Sequence, residues 1–343
     1  MSKERKKLSK VFSAIAKKQG ATRAVSLPGP GLTHDHYVLE GTGRLLRVPR
    51  RNQLDMTPED YLAHQKKVYE AAAPSGATPQ VFDIVPPQKD LPNGALVIEY
   101  IESRKPETDE DKLAMARALA KLNTTTSKDI DAAAQPFGSQ WFVINDIFGA
   151  YLQGEKLSPE TRKLLADEKD ALEKEMNALA KRTDIPVALI GADSHAGNFI
   201  INKSGEAFFV DLEFLTADVP HIDAADAASP LTSQLDPTNK IAFSECDRQA
   251  FYKEWGRESG YDKSADFDKL MNLAERMVEF RTLAWLAYWL EEGRDNQTAP
   301  QQSRDNWDRM AKEHLSKDAL EKRFANRKDG AKAKPRAKIA PKP

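Results

Sequence analysis

The chain has 343 residues, of which 40% are hydrophobic and 30% charged, ordinary proportions for a globular protein with a sizeable buried core. No apolar run reaches the roughly 20 residues of a membrane span, and the single Cys246 excludes an intramolecular disulfide or a zinc site built on paired cysteines. The net charge of −1 hides an asymmetry: residues 1–24 carry +7 (eight Lys/Arg, one Glu), residues 322–343 carry +8 (nine Lys/Arg, one Asp), and the stretch between them carries −16. An acidic body suits a cationic small ligand. Basic residues confined to the two ends, without interleaved aromatics, argue against nucleic acid. Val11–Ala16 is too short for a secretory core and no small-residue cleavage site follows, so a cytoplasmic protein is expected. The lone thiol is expected to be packed and inert.

In chain order, Leu8, Val11, Phe12 and Ile15 recur at helical spacing and predict an amphipathic helix over 4–18. Its stripe is expected to pack on the protein's own body, with a membrane surface as the alternative and no stable insertion. His36–Leu39 and Leu45–Val48 read as strands joined at Gly41-Thr42-Gly43. Thr57-Pro58-Glu59-Asp60 is a helix start with a hydroxyl cap, Pro in the first turn and acids at the positive end of the dipole. Gln80–Ile84 and Ala95–Ile101 are further strands. Long helices follow over Asp111–Leu122, Glu160–Lys181, Asp247–Glu258, Asp266–Glu292 and Arg304–Phe324, interrupted by strands at Phe199–Asn202 and Ala207–Val210. The Lys-, Ala- and Pro-rich end is expected to be disordered. The expected organisation is a basic N-terminal helix (1–24), a β-rich lobe (25–102), a helical lobe (103–325) and a basic tail (326–343).

The chemistry concentrates in Leu189-Ile190-Gly191-Ala192-Asp193-Ser194-His195-Ala196-Gly197-Asn198 and in Phe208-Phe209-Val210-Asp211-Leu212-Glu213. Phosphoryl transfer needs a carboxylate to orient the attacking hydroxyl and hard oxygen ligands for the ions that neutralise phosphate. A loop Asp, an Asn five residues on, and a strand ending in Asp supply those three groups. On its own the loop could be no more than a hydrophilic turn.

These two stretches resemble the aminoglycoside phosphotransferase and choline kinase family, whose loop commonly reads His-Gly-Asp-Leu-His-Pro-Gly-Asn and whose metal-binding strand reads Ile-Asp-Trp-Glu. Asp193, His195, Gly197 and Asn198 match the loop, and Asp211 with Glu213 matches the strand. Asp218-Val219-Pro220-His221-Ile222-Asp223 is similar to the family's Gly-Asp-Pro-x-x-Asp segment. The resemblance implies an α+β, bilobal protein-kinase-like fold, with a β-rich N-lobe and a mostly helical C-lobe. It implies an ATP- and Mg2+-dependent kinase in which Asp193 is the catalytic base, Asn198 and Asp211 are metal ligands, and His195 and Asp223 support the loop. In the N-lobe, Pro30-Gly31-Leu32-Thr33 resembles the turn over the nucleotide phosphates, Arg47 occupies the place of the phosphate-pairing Lys, and the backbone near Glu99 and Ile101 would bind adenine. The match covers about residues 25–295.

Three positions depart from the pattern: Arg47 replaces Lys, the following helix has His64 and Gln65 about where its Glu partner is expected, and Gly191 stands where the loop His usually lies. Trp285, Tyr288 and Trp289 recur at i, i+3 and i+4 before Glu291 and Glu292, and could box a cationic acceptor by cation–π contact. The same stripe is also what core packing looks like. The expected enzyme is a kinase for a small hydroxylated, cationic molecule, aminoglycoside-, choline- or thiamine-like. The alternative, suggested by Arg47 and the missing Glu, is a catalytically silent nucleotide-binding module. A protein kinase is disfavoured, because Asp211-Leu212-Glu213 replaces Asp-Phe-Gly and no Ala-Pro-Glu segment follows.

Overall fold

The computed structural model of the chain describes residues 3–27, 33–50, 54–126, 135–295 and 299–330. Gly31, expected at the phosphate turn, lies outside the described residues. So do residues 331–343 of the expected tail. The elements run α1 (Lys3–Lys18), β1 (Ala24–Ser26), β2 (His34–Leu39), β3 (Arg44–Pro49), α2 (Pro58–Ala72), β4 (Val81–Val85), β5 (Ala95–Glu99), β6 (Ser103–Arg104) and α3 (Asp109–Asn123). They continue with α4 (Gly138–Phe142), α5 (Pro159–Ala180), β7 (Ala188–Ile190), β8 (Phe199–Asn202), β9 (Ala207–Phe209) and β10 (Thr216–Asp218). The last are α6 (His221–Ala227), α7 (Glu245–Ser259), α8 (Phe267–Glu291), α9 (Gln301–His314) and α10 (Lys317–Gly330). Two compact units emerge: residues 1–139 with 184–275, and residues 140–183 with 276–343.

In the first unit an antiparallel sheet has the order β1-β2-β3-β5-β4. Gly41 and Gly43, both at positive φ, turn β2 into β3. The N-terminal helix is a core element: Phe12, Ile15 and Ala16 are buried against Leu39, Leu46, Val48 and Val97 of the sheet. Phe12 and Ile15 of its apolar stripe are thus satisfied within the chain, with Val11 packed alongside; the Leu8 side chain lies outside the described residues. Among the described residues no helix is long and apolar enough to cross a membrane.

Helix starts follow the sequence chemistry. Thr57 Oγ1 accepts from Asp60 N at 3.1 Å to open α2. Thr108 with Asp111, and Ser244 with Asp247, form reciprocal capping boxes for α3 and α7. Strands β1, β6, β7 and β10 went unread in the sequence because two or three residues carry no period. The β8–β9 hairpin matters most for function: Phe199 pairs with Phe209, so the segments just before β8 and just after β9 lie side by side.

The second unit is helical, drawing on α5, most of α8, α9 and α10. Arg276 bonds Glu168 at 3.2 Å and Arg323 bonds Glu279 at 2.9 Å. The single helix expected over Arg304–Phe324 is two helices. Leu315 leaves the helix at φ −97°, ψ 8°, its carbonyl is taken by the Thr161 hydroxyl at 3.1 Å, and Ser316 Oγ accepts from Ala319 N to start α10. Cys246, expected to be packed, is exposed at the start of α7.

Candidate functional site

The loop from Gly191 to Asn198 is held from below by α6. Asp223, completely buried, accepts from Gly191 N at 2.8 Å, Ala192 N at 3.1 Å, Ser194 Oγ at 2.6 Å and Asn123 Nδ2 at 2.9 Å. One helical turn on, Asp226 accepts from Ser194 N at 2.8 Å. These bonds hold a strained backbone, because Ala192 adopts φ +62° directly before Asp193. A left-handed non-glycine residue costs about 1–2 kcal/mol and persists only where its surroundings over-determine it. Burial pushes the Asp223 carboxyl up to about 6, opposed by the hydrogen bonds it accepts from Ser194, Gly191, Asn123 and Ala192.

The loop also carries the candidate site groups. The Asp193 side chain is 41% exposed, with His195 Nε2 3.9 Å from its Oδ2. Gly197 N donates to His195 Nδ1 at 3.1 Å, which places the proton of a neutral imidazole on Nε2, facing Asp193. Asn198 Nδ2 donates to the Asp193 carbonyl at 2.8 Å. The planar amide therefore turns its Oδ1 away from that bond, as an oxygen available to a cation.

Asp211 follows β9 and is brought beside Asn198 by the hairpin, in which Val210 N donates to Asn198 O at 2.8 Å. Asp211 itself has φ +71°. Its Oδ1 takes a hydrogen bond from Arg47 Nη2, and its backbone bonds the Tyr69 hydroxyl. Arg47 is 3% exposed and its Nη1 donates to Gln65 Oε1 at 2.8 Å. The place of the expected helix Glu is thus taken by an amide that contacts the strand cation. The same face of α2 reaches past Asp211: Tyr61 donates its hydroxyl to Glu213, and His64 Nε2 lies 2.8 Å from the Glu213 carbonyl.

Gly191 owes its identity to Phe209, since a Cβ there would come within 2.4 Å of that ring. The ring of Phe209, at the end of β9, fills the space that a side chain at position 191 would need. Thr33 Oγ1 lies 2.7 Å from His34 Nδ1. Glu99 closes β5 with its N–H donated to Gln80 O at 2.8 Å, and Ile101 follows beyond the strand end.

In the second unit, Trp285 and Trp289 stack at 6.2 Å and both meet Trp307 edge-on, while Trp289 Nε1 donates to Asp308 at 2.9 Å. Tyr288 turns to Phe148 and Tyr151 instead, at 5.7 and 5.0 Å between ring centres.

Sequence reasoning missed Ser194, Asn123 and Asp226, whose roles depend on long-range partners. It also missed Lys105, whose ammonium donates to the Gly197 carbonyl within electrostatic reach of Asp236 and Asp211. A lysine beside the strand that pairs with β8 was the available signal.

A β-rich half that presents a buried cation to a strand-end carboxylate, above an Asp-to-Asn loop, defines a phosphotransferase of protein-kinase-like fold. The model of the phosphotransferase enzyme family matches residues 25–270, and the chain belongs to that family. Similar solved structures include a choline/ethanolamine kinase family protein from Mesorhizobium loti, 17% identical over 92% of this chain and 96% of that one, with a TM-score of 0.62. Choline kinase LicA from Streptococcus pneumoniae is 14% identical over 91% and 98%, with a TM-score of 0.57. The ADP-bound aminoglycoside phosphotransferase APH(2'')-Ib is 13% identical over 91% and 99%, with a TM-score of 0.55. At these identities the likeness is one of fold. No curated protein sequence matches the chain significantly.

Proposed function

We propose that the chain is an ATP- and Mg2+-dependent kinase that phosphorylates the hydroxyl of a small cationic molecule. The observation that carries this is the convergence of Asp193, Asn198, Asp211 and Arg47 on one loop, one hairpin and one strand. Asp193 is the base: it is exposed to an acceptor, while His195 and the Asp223 brace fix its direction. It orients the acceptor hydroxyl and receives its proton as the phosphoryl group leaves the nucleotide.

Asp211 and Asn198 would hold Mg2+. A carboxylate and an amide oxygen are the hard donors that this ion prefers, and it commonly takes few protein ligands, with phosphate oxygens and water completing the shell. The bound ion would supply neutralisation of phosphate charge. Gly31, Thr33 and Arg47 serve the phosphates, and the backbone at Glu99 and Ile101 serves the base. One structural neighbour binds ADP, which supports nucleotide use.

Within the second unit, Tyr288 with Phe148 and Tyr151 offers half-buried ring faces, and Tyr151 donates to Glu292 at 2.9 Å. Aromatic faces beside a carboxylate suit an organic cation. Trp285 and Trp289 support that wall through their packing on Trp307. The chain's single, exposed Cys246 and its use of ATP suit the cytoplasm. The silent-module reading is weaker, because the Arg47–Gln65 contact supplies what the absent Lys–Glu pair seemed to remove.

The test is acceptor-dependent ADP release across amines, aminoglycosides and sugars, run with wild type and Asp193→Asn. The variant should retain nucleotide binding and lose about 10³-fold or more in turnover. A loss of only a few-fold would remove Asp193 from the base role.

A further inference from the structure

A file of buried polar side chains links Thr33 to the strand-end carboxylate Asp211. Thr33 Oγ1 lies 2.7 Å from His34 Nδ1, and His34 Nε2 lies 3.2 Å from Gln65 Nε2. Gln65 Oε1 lies 2.8 Å from Arg47 Nη1, and Arg47 Nη2 bonds Asp211. His34, Arg47 and Gln65 are 2%, 3% and 0% exposed, so their partners are each other rather than solvent.

Donor and acceptor rules fix the direction of every bond in this file. A guanidinium only donates, so the Gln65 atom facing Arg47 is the carbonyl oxygen. The Gln65 amide nitrogen then faces His34 and donates, which makes His34 Nε2 an acceptor. A neutral imidazole accepting at Nε2 carries its proton on Nδ1, and that N–H points at Thr33 Oγ1. The Thr33 hydroxyl accepts from within and keeps its own proton for a partner other than His34.

We propose that His34 and Gln65 are positioning residues that, with Arg47, aim the Thr33 hydroxyl proton at a nucleotide phosphate oxygen and register Thr33 against Asp211. The inference rests on the nucleotide-dependent reading above. It also accounts for an amide at position 65. A carboxylate there would satisfy Arg47 but could not donate to His34, and the imidazole would have to place its proton on Nε2. His34 Nδ1 would then accept from Thr33 and consume the hydroxyl proton inside the protein. Burial, with the neighbouring Arg47 charge, holds His34 neutral by depressing its pKa far below the ordinary imidazole value.

The test needs no catalysis. Imidazole 15N spectra of the nucleotide-free protein, with His34 assigned by its loss in His34→Asn, should show wild-type His34 protonated on Nδ1 and bare on Nε2. Gln65→Glu should move a proton onto Nε2. A wild-type His34 protonated on Nε2 would overturn the proposal, whether or not any variant folds. A second arm measures ATP-analogue affinity for Thr33→Val, Gln65→Leu and the double variant. Each single change should weaken binding about ten-fold, and the double variant little further, because both break one chain of bonds. Strictly additive losses, or no loss in Thr33→Val, would also overturn it. If no nucleotide bound to wild type, the kinase reading would fail while the spectra still decided the tautomer.

Discussion

Replacing Arg47 by Ala strikes a side chain that joins the sheet, α2 and the strand-end carboxylate. Arg47 is 3% exposed while Asp211 is 31% exposed, so the two partners lose different things when the pair breaks. Truncating one member of a fully buried pair costs about 3–5 kcal/mol, but Asp211 can recover water and avoids part of that. The Gln65 carbonyl oxygen cannot, and an unsatisfied buried acceptor costs about 1–3 kcal/mol. The guanidinium also lies 5.9 Å from the Tyr69 ring centre, and that packing goes too. A net destabilisation of about 3 kcal/mol is expected, which lowers Tm by roughly 6–12 °C for a unit of this size. ATP affinity should fall roughly ten- to a hundred-fold, the worth of one charge-assisted contact in a partly desolvated site. Arg47→Lys should recover part of the affinity, because an ammonium restores charge but reaches only one of Gln65 and Asp211. Arg44→Ala is the control: Arg44 bonds Gln19 at 2.7 Å and covers Phe82, away from Asp211. Calorimetric titration with an ATP analogue and thermal melts read both effects. Equal, small changes in Arg44→Ala and Arg47→Ala would refute the role assigned to Arg47.

Asp211→Asn keeps an acceptor for Arg47 but removes the charge, so Mg2+-dependent nucleotide binding should be lost while the melting curve stays near wild type; metal titration with unchanged affinity would contradict the ligand assignment. Asp223 takes up a proton more readily in the native chain, near 6, than its ordinary 3.8 would allow in the unfolded one. Its contribution to stability is therefore fully present at low pH and declines as pH rises from about 4 to 6, with a slope of about 1.4 kcal/mol per pH unit that Asp223→Asn should lack. Parallel stability–pH curves for the two chains would refute this. Gly191→Ala should cost about 1–3 kcal/mol by overpacking against Phe209, and Phe209→Leu should relieve that cost in the double variant. Additive melts would show that the two positions do not share the space.

What the sequence disclosed was what the chemistry dictates locally. Asp193, His195 and Asn198 sit on one short loop, and a hairpin with four intervening residues brings Asp211 to it, so composition and spacing sufficed. The capped starts of α2 and α5 were equally legible, because a hydroxyl and a proline mark the first turn within four residues. Ser316 was not legible as a helix boundary, since the Leu315 carbonyl is drawn out by Thr161, distant in sequence. Asp226, Asn123 and Lys105 acquire their contacts only through the fold, and no local period announces them.

The departures from the family pattern make the same point more sharply. Taken one at a time, Arg for Lys, Gln for Glu and Gly for His each suggest decay of the site. Gly191 is explained once the Phe209 ring is seen to occupy the missing side chain's volume. Arg47 and Gln65 are explained by each other and by His34, which no spacing rule would bring into the same argument. A neutral amide can accept from a guanidinium at one end and donate to an imidazole at the other, which an ionised carboxylate cannot. A glutamate at position 65 would suit a lysine partner and leave His34 without its donor. The substitutions are therefore conditional on one another, and the file that links them ends on Asp211, the carboxylate that the proposed reaction uses.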